Sequence, residues 1–186
     1  MTRAGRQDII FYIAPFEGIP DIIHDFVASA IAEKYGVTCR LFKTQPLPRA
    51  AIIKDFPDGE KICDDQELIT YLYDQLPLDG RIIVGLTRAL LQTEKTAIVG
   101  CGDAMLNGTG AVIISIMQAA SDEERQVVSL NRFLSRIDKF VAHEVGHALA
   151  LPHCPDGACV MSAKSYEALD ATPAGYCQKC RVVIND

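Results

Sequence analysis

The stretch HEVGHALALPHC, residues 143 to 154, gathers three of the chain's four histidines within eleven positions and ends on a cysteine. His143 and His147 are four apart. On a helix that spacing stacks both imidazoles on one face, where they can share a metal. His153 lies six beyond His147. Six residues turn about 600° on a helix, so a continued helix aims His153 elsewhere. A third ligand therefore requires the helix to stop and the chain to double back. Pro152 favours the stop, because it pushes Leu151 out of helical dihedrals. Three neutral imidazoles at ~2.0–2.1 Å leave one tetrahedral position open, which is the arrangement of a catalytic zinc rather than a structural one. Glu144 projects about 100° around the helix from His143, so it can serve the site without ligating the metal. The expected chemistry is hydrolysis. Zinc lowers the pKa of water to ~7 and polarises a carbonyl, while Glu144 takes a proton as general base and delivers it to a leaving amine. A bare HExxH also arises by chance on ordinary helices; the third histidine after a forced helix end weighs against chance. His24, the remaining histidine, reads as an ordinary polar position on the first helix.

The second constellation is made of thiols. Of seven cysteines, Cys154, Cys159, Cys177 and Cys180 fall in the last 33 residues as two short-range pairs. Two such pairs suit a closed four-thiolate zinc site, which would staple a C-terminal region poor in apolar residues. Two disulfides, or a redox CxxC, are the competing readings. Disulfides need an oxidising compartment that nothing in the sequence indicates, and a redox CxxC normally opens a helix after a strand. Cys39, Cys63 and Cys101 lie in or near apolar stretches and read as buried small hydrophobes.

These groups need a frame to hold them. Residues 8–15 read as a buried strand, 19–36 as a helix stopped by glycine, 37–44 as a strand, 64–76 as a helix and 80–87 as a strand. That βαβ rhythm predicts a mainly parallel sheet. The apolar runs 96–106 and 111–117 flank Asn107-Gly108, a strong hairpin signal, so an antiparallel pair is expected. Gly100 and Gly102 suit a bulged edge strand. Ser121 and Glu124 form a possible capping box opening a long helix, on which Val127, Val128, Leu130, Phe133, Leu134, Ile137, Val141 and Val145 recur at helical spacing. The periodicity stops after Leu151.

The chain has 186 residues, 49% hydrophobic and 23% charged, enough for one domain with a core and an added lobe. A net charge of −6 argues against a general nucleic-acid binder. No apolar run approaches the ~20 residues that span a bilayer. The opening MTRAGRQDIIFYIAPF superficially resembles a signal peptide, but Asp8 interrupts it and no clean small-residue cleavage site follows. The expectation is a cytoplasmic protein with no membrane partner.

His143, Glu144, His147 and His153 together resemble the extended metzincin motif, HExxHxxGxxH. Cys154 directly after the third histidine, then Cys159, Met161, Cys177 and Cys180, resembles the archaemetzincins in particular. The resemblance is carried by 38 residues, about a fifth of the chain. It implies an α/β fold: a twisted, five-stranded mixed sheet with one antiparallel edge strand around residues 96–106, a long active-site helix, and a small zinc-stapled lobe. The division expected is residues 1–150 for the sheet and active-site helix, and 151–186 for the third histidine, the Met-turn at Met161 and the four cysteines. It further implies a zinc metallopeptidase with two zinc ions per chain and a peptide or protein substrate lying along the edge strand. Internal cleavage and aminopeptidase activity both stay open at this point.

The sequence departs from the family pattern in three places. Ala150 stands where the motif has glycine, so the turn either keeps a negative φ or carries strain. The fifteen residues between Met161 and Cys177 form a shorter loop than the pattern has. Ala163 stands where some metzincins have a tyrosine; Tyr166 is near, with packing or surface roles as its simpler reading. Ala150 and the missing tyrosine admit a rival reading, a zinc-binding protein with little or no peptidase activity that acts as a binding or regulatory module. Glu144 argues against it, since a mere binder has no need of a base.

Overall fold

The computed structural model describes residues 9–94, 96–121, 126–163 and 166–185. The main sheet has five strands in the order β2-β1-β5-β9-β8. They are β1 (Ile10–Pro15), β2 (Thr38–Leu41), β5 (Gly80–Thr87), β8 (Gly100–Ala104) and β9 (Gly110–Ser115). β1, β2, β5 and β9 run parallel; β8 runs antiparallel to β9 and forms one edge. β1 begins within the 8–15 run, Asp8 lying outside the described residues.

Period-two alternation places the core on both faces. Phe11, Ile13, Ile82, Val84, Leu86, Val112 and Ile114 point to one face, and Tyr12, Ala14, Ile83, Ala111 and Ile113 to the other. Helices α1 (Asp21–Tyr35) and α4 (Leu130–Ala148) cover the first face. Helix α2 (Asp65–Gln75) covers the second; Asp64 caps it, its carboxylate accepting from the N–H groups of Gln66 and Glu67 at 3.0 Å each.

A second, four-stranded sheet was not foreseen from the sequence. It consists of β3 (Ile52–Asp55), β4 (Lys61–Asp64), β6 (Leu90–Thr93) and β7 (Thr96–Ile98), in the order β3-β4-β6-β7. The run 96–106 is therefore two strands in two sheets, parting at Val99. The expected bulge is also absent: β8 pairs with β9 in continuous register from Gly100↔Ile114 to Ala104↔Gly110. Its glycines answer a different need. A Cβ on Gly102 would lie 2.0 Å from the Glu144 carbonyl oxygen, and one on Gly100 2.9 Å from Glu144 Cγ. Helix α4 thus presses against the edge strand's backbone. The hairpin closes over residues 105–109, with Gly108 at φ 79° and Asn107 Oδ1 accepting from the Thr109 N–H at 3.0 Å.

The long helix begins later than the capping box proposed. Ser121 ends helix α3 (Ile116–Ala120) and bridges to Val127. Glu124 lies outside the described residues. α4 starts at Leu130, with Ser129 Oγ accepting from the Arg132 N–H at 3.4 Å. Val127 lies outside the helix and is exposed. His24, expected to be an ordinary polar position, is buried; its Nε2 has no hydrogen-bond partner among the described residues.

Helices α5 (Tyr166–Ala171) and α6 (Gln178–Asn185) complete the chain. α5 docks on α4 through Asp170, whose carboxylate receives Arg136 Nε at 2.8 Å, Arg136 NH2 at 2.7 Å and Arg132 NH2 at 2.7 Å. Hydrogen bonds from Arg136, then from Arg132, hold the Asp170 carboxyl down at about 2. A depressed carboxyl contributes stability that is fully present above its unfolded value near 4 and is lost as pH falls through about 2. After solvent screening we expect a contribution on the order of 1–2 kcal/mol. An NMR titration of the Asp170 carboxyl should show a midpoint below pH 3; a midpoint near 4 would remove the ion pair from the account.

Candidate metal centre and catalytic site

Helix α4 delivers His143 and His147, one turn apart, and then stops in a Schellman turn. The Leu151 N–H reaches back to the Gly146 carbonyl at 2.9 Å, and the Ala150 N–H to the His147 carbonyl at 2.8 Å. The residue that turns the chain is Ala150, at φ 63°. It takes the left-handed conformation that glycine takes without cost, so the site carries strain rather than a different turn. Ala150→Gly should relieve about 1 kcal/mol and raise the melting temperature of the metal-loaded protein by about 2–4 °C. A lowered melting temperature in calorimetry would show that Ala150 is not strained.

The turn brings His153 back. Its ring centroid lies 4.9 Å from that of His147 and 5.4 Å from that of His143, and one ligand atom from each ring falls within 4.8 Å of the others. Two contacts fix the tautomers. His143 Nδ1 lies 2.9 Å from the Val160 carbonyl oxygen, and His147 Nδ1 lies 2.9 Å from that of Leu151. A carbonyl only accepts, so both Nδ1 atoms carry the proton and both Nε2 atoms present lone pairs. Those Nε2 atoms are 3.1 Å apart. Two acceptors that close repel unless a cation sits between them. Two arms of ~2.0–2.1 Å at a tetrahedral angle put the nitrogens about 3.3–3.4 Å apart, so the donor set fits a zinc-sized ion. Burial lowers the His143 pKa to about 4 and also lowers that of His147, which keeps both rings neutral and free to ligate.

Glu144 packs against the edge strand, where its carboxylate accepts a hydrogen bond from the Gly102 N–H. Burial pushes its carboxyl up to about 8, with the negative charge of Asp65 adding to the rise. Asp65, at the start of α2, is itself buried and leaves Oδ1 unpaired among the described residues. The Val160 and Leu151 carbonyls are invisible to residue patterns, since main-chain contacts leave no side-chain signature, and Asp65 reads only as one of the acidic residues opening α2. The signal for the Glu144 contact was the Gly100-x-Gly102 spacing, misread as a bulge.

The four clustered cysteines also converge, each Sγ within 4.8 Å of the rest. Cys154 Sγ and Cys177 Sγ are 3.8 Å apart, against about 3.8 Å for tetrahedral arms of ~2.3 Å. The Cys177 N–H donates to Cys159 Sγ at 3.3 Å, the kind of bond that stabilises a thiolate. All seven cysteines are free thiols. Of the others, Cys63 is buried, and Cys39 and Cys101 are half-buried. Met161 is fully buried, its thioether filling the space that a side chain on Gly146 would occupy. Ala163 is buried; the side chain of Tyr166 lies outside the described residues. A cleft of about 490 Å³ lies elsewhere, beyond the carboxyl ends of β1 and β5, where Gly18 and Arg88 line it. It contains no residue of either cluster.

Residues 82–186 match the model of Peptidase family M54. The archaemetzincin of Haloarcula marismortui is 36% identical over 150 residues, covering 79% of this chain and 83% of that protein. That of Natronomonas pharaonis is 27% identical over 174 residues, 91% of this chain and 95% of the relative. The crystal structure of the archaemetzincin from Methanopyrus kandleri superposes with a TM-score of 0.75 at 25% identity, covering 96% of this chain and 94% of that one. The motif residues, the fold that gathers them and the extent of these matches lead to one assignment: the chain belongs to Peptidase family M54, the archaemetzincins.

Proposed function

We propose that the protein is a zinc-dependent peptidase in which His143, His147 and His153 hold the catalytic ion and Glu144 is the general base. One observation carries this reading: two imidazole Nε2 atoms 3.1 Å apart, both left as lone-pair donors because each ring's Nδ1–H donates to a carbonyl behind it. A zinc ion bound there supplies Lewis acidity toward the scissile carbonyl and toward the attacking water. The chain's own groups do the rest. Glu144 accepts the water's proton and hands it to the departing amine, while the Gly102 N–H holds the carboxylate in place against the edge strand. β8 is an edge strand of the main sheet, so an extended peptide can lie along it as a further strand. Met161, beneath Gly146, takes the part of the Met-turn.

Cys154, Cys159, Cys177 and Cys180 hold a second, structural zinc, giving two ions per chain. We divide the chain into 1–150, with the sheet and α4, and 151–186, with the third histidine and the thiols. Free thiols suit a reducing cytosol. No helix among the described residues is long and apolar enough to cross a membrane. The test is digestion of a peptide library by the zinc-reconstituted protein before and after chelation. Cleavage is expected only with metal and should return when zinc is restored; equal cleavage by the metal-free protein would overturn the reading.

A further inference from the structure

The loop 151–161 belongs to both clusters. It begins with the Leu151 carbonyl that orients His147, carries His153 and Cys154 side by side, and ends with Cys159 next to the Val160 carbonyl that orients His143. Its two ends are clipped together by the Cys154 N–H donating to the Met161 carbonyl at 2.9 Å. Its far side is tied to the second cysteine pair by Cys177 N–H to Cys159 Sγ at 3.3 Å and by Val160 N–H to the Gly175 carbonyl at 2.8 Å. So both bonds that fix the histidine tautomers, and the third histidine itself, come from a loop that also carries two of the four clustered thiols. None of these three contacts comes from the sheet.

We propose that the two metal sites are thermodynamically coupled: filling the cysteine cluster preorganises the histidine site and tightens its hold on its own ion. This rests on the two-metal reading above. Partners behind metal-ligating histidines are commonly worth 10–100-fold in affinity, and here those partners are delivered by the cysteine loop. Coupling of binding free energies is reciprocal, so an ion in the histidine site must tighten the cysteine site by the same factor.

The reciprocity supplies a test that does not depend on turnover. Cobalt bound by thiolates has a strong near-ultraviolet absorption that imidazole ligation lacks, so cysteine-site affinity can be read by chelator competition. The comparison is wild type against His153→Ala. No hydrogen bond joins the His153 side chain to the loop among the described residues, so its loss weakens the histidine site without cutting the contacts at Leu151 and Val160. In parallel, histidine-site zinc affinity is measured in wild type and in Cys177→Ser. We expect at least a tenfold weakening in each arm, by matching factors. If Cys177→Ser misfolds, the His153→Ala arm alone decides. Cysteine-site affinity within twofold of wild type in His153→Ala, with two metals bound per wild-type chain, would overturn the coupling and leave the two-metal reading standing. Fewer than two metals per wild-type chain would overturn the reading itself.

Discussion

Glu144→Ala should retain both metals and lose 10²- to 10⁴-fold in peptide cleavage, the range that a positioned general acid–base contributes. The two effects separate because the carboxylate lies outside the ligand set while its backbone sits inside a rigid junction. The Glu144 carbonyl packs where any side chain on Gly102 would have to go, so the helix stays seated on β8 when the carboxylate is removed. Glu144→Gln keeps the side chain's volume but cannot take a proton, so it should fall as far as Glu144→Ala. Burial pushes the Glu144 carboxyl up to about 8, and a dipositive ion beside it pulls it back down. Activity must therefore rise with pH on an acid limb whose midpoint lies below 8, as the base ionises. The measurement is the cleavage rate of a peptide from the library digest, with metal content determined on the same samples. Equal traces in wild type and both variants would mean a contaminating protease, and full activity in Glu144→Gln would remove Glu144 as the base.

The centre of the main sheet was legible because β1, β5 and β9 are buried on both faces and read as long apolar runs; residues 80–87 coincide with β5 from end to end. The second sheet was not. Its strands are three or four residues long, and three of them carry lysine, aspartate or glutamine, so no long apolar run or alternation marks them. A turn signal was present at Pro57-Asp58-Gly59, where the Phe56 N–H meets the Glu60 carbonyl at 2.9 Å, but the flanks are too short for pattern alone to identify as strands. Val127 and Val128 extended the helical period of α4 by accident, pulling its expected start toward Ser121. At the site, residue types and spacing identified every clustered histidine and cysteine, because metal chemistry demands those side chains. The sign of φ at Ala150 could not be read, since alanine is compatible with either turn and only the Schellman hydrogen bonds decide.

Cys159→Ser should lower the melting temperature by about 10 °C or more. Structural zinc in small domains carries on the order of 10 kcal/mol of apparent binding free energy, which is folding free energy where no core competes. Here some core does compete. Val160, Met161, Leu169 and Tyr176 are buried in the same apolar cluster as α1 and α4, and the Tyr35 and Tyr176 hydroxyls meet 2.5 Å apart inside it. Lys34 adds an ion pair to Asp138 at 2.8 Å and a bond to the Ala174 carbonyl at 2.9 Å, tying residue 174 to α1 and α4. The loss should therefore be a fraction of the zinc-finger figure, about 4 kcal/mol, and about 2–4 °C per kcal/mol applies at this chain length. Cys159 is the most consequential of the four to change, because it is fully buried and its sulfur also receives the Cys177 N–H. Amide exchange should locate the damage: residues 151–180 lose protection while β1, β5 and β9 keep it, since the sheet's own contacts do not pass through the thiols. Unchanged exchange across 151–180 would show that apolar packing alone holds the segment. Protection lost in the sheet to the same extent would show one cooperative unit in place of two.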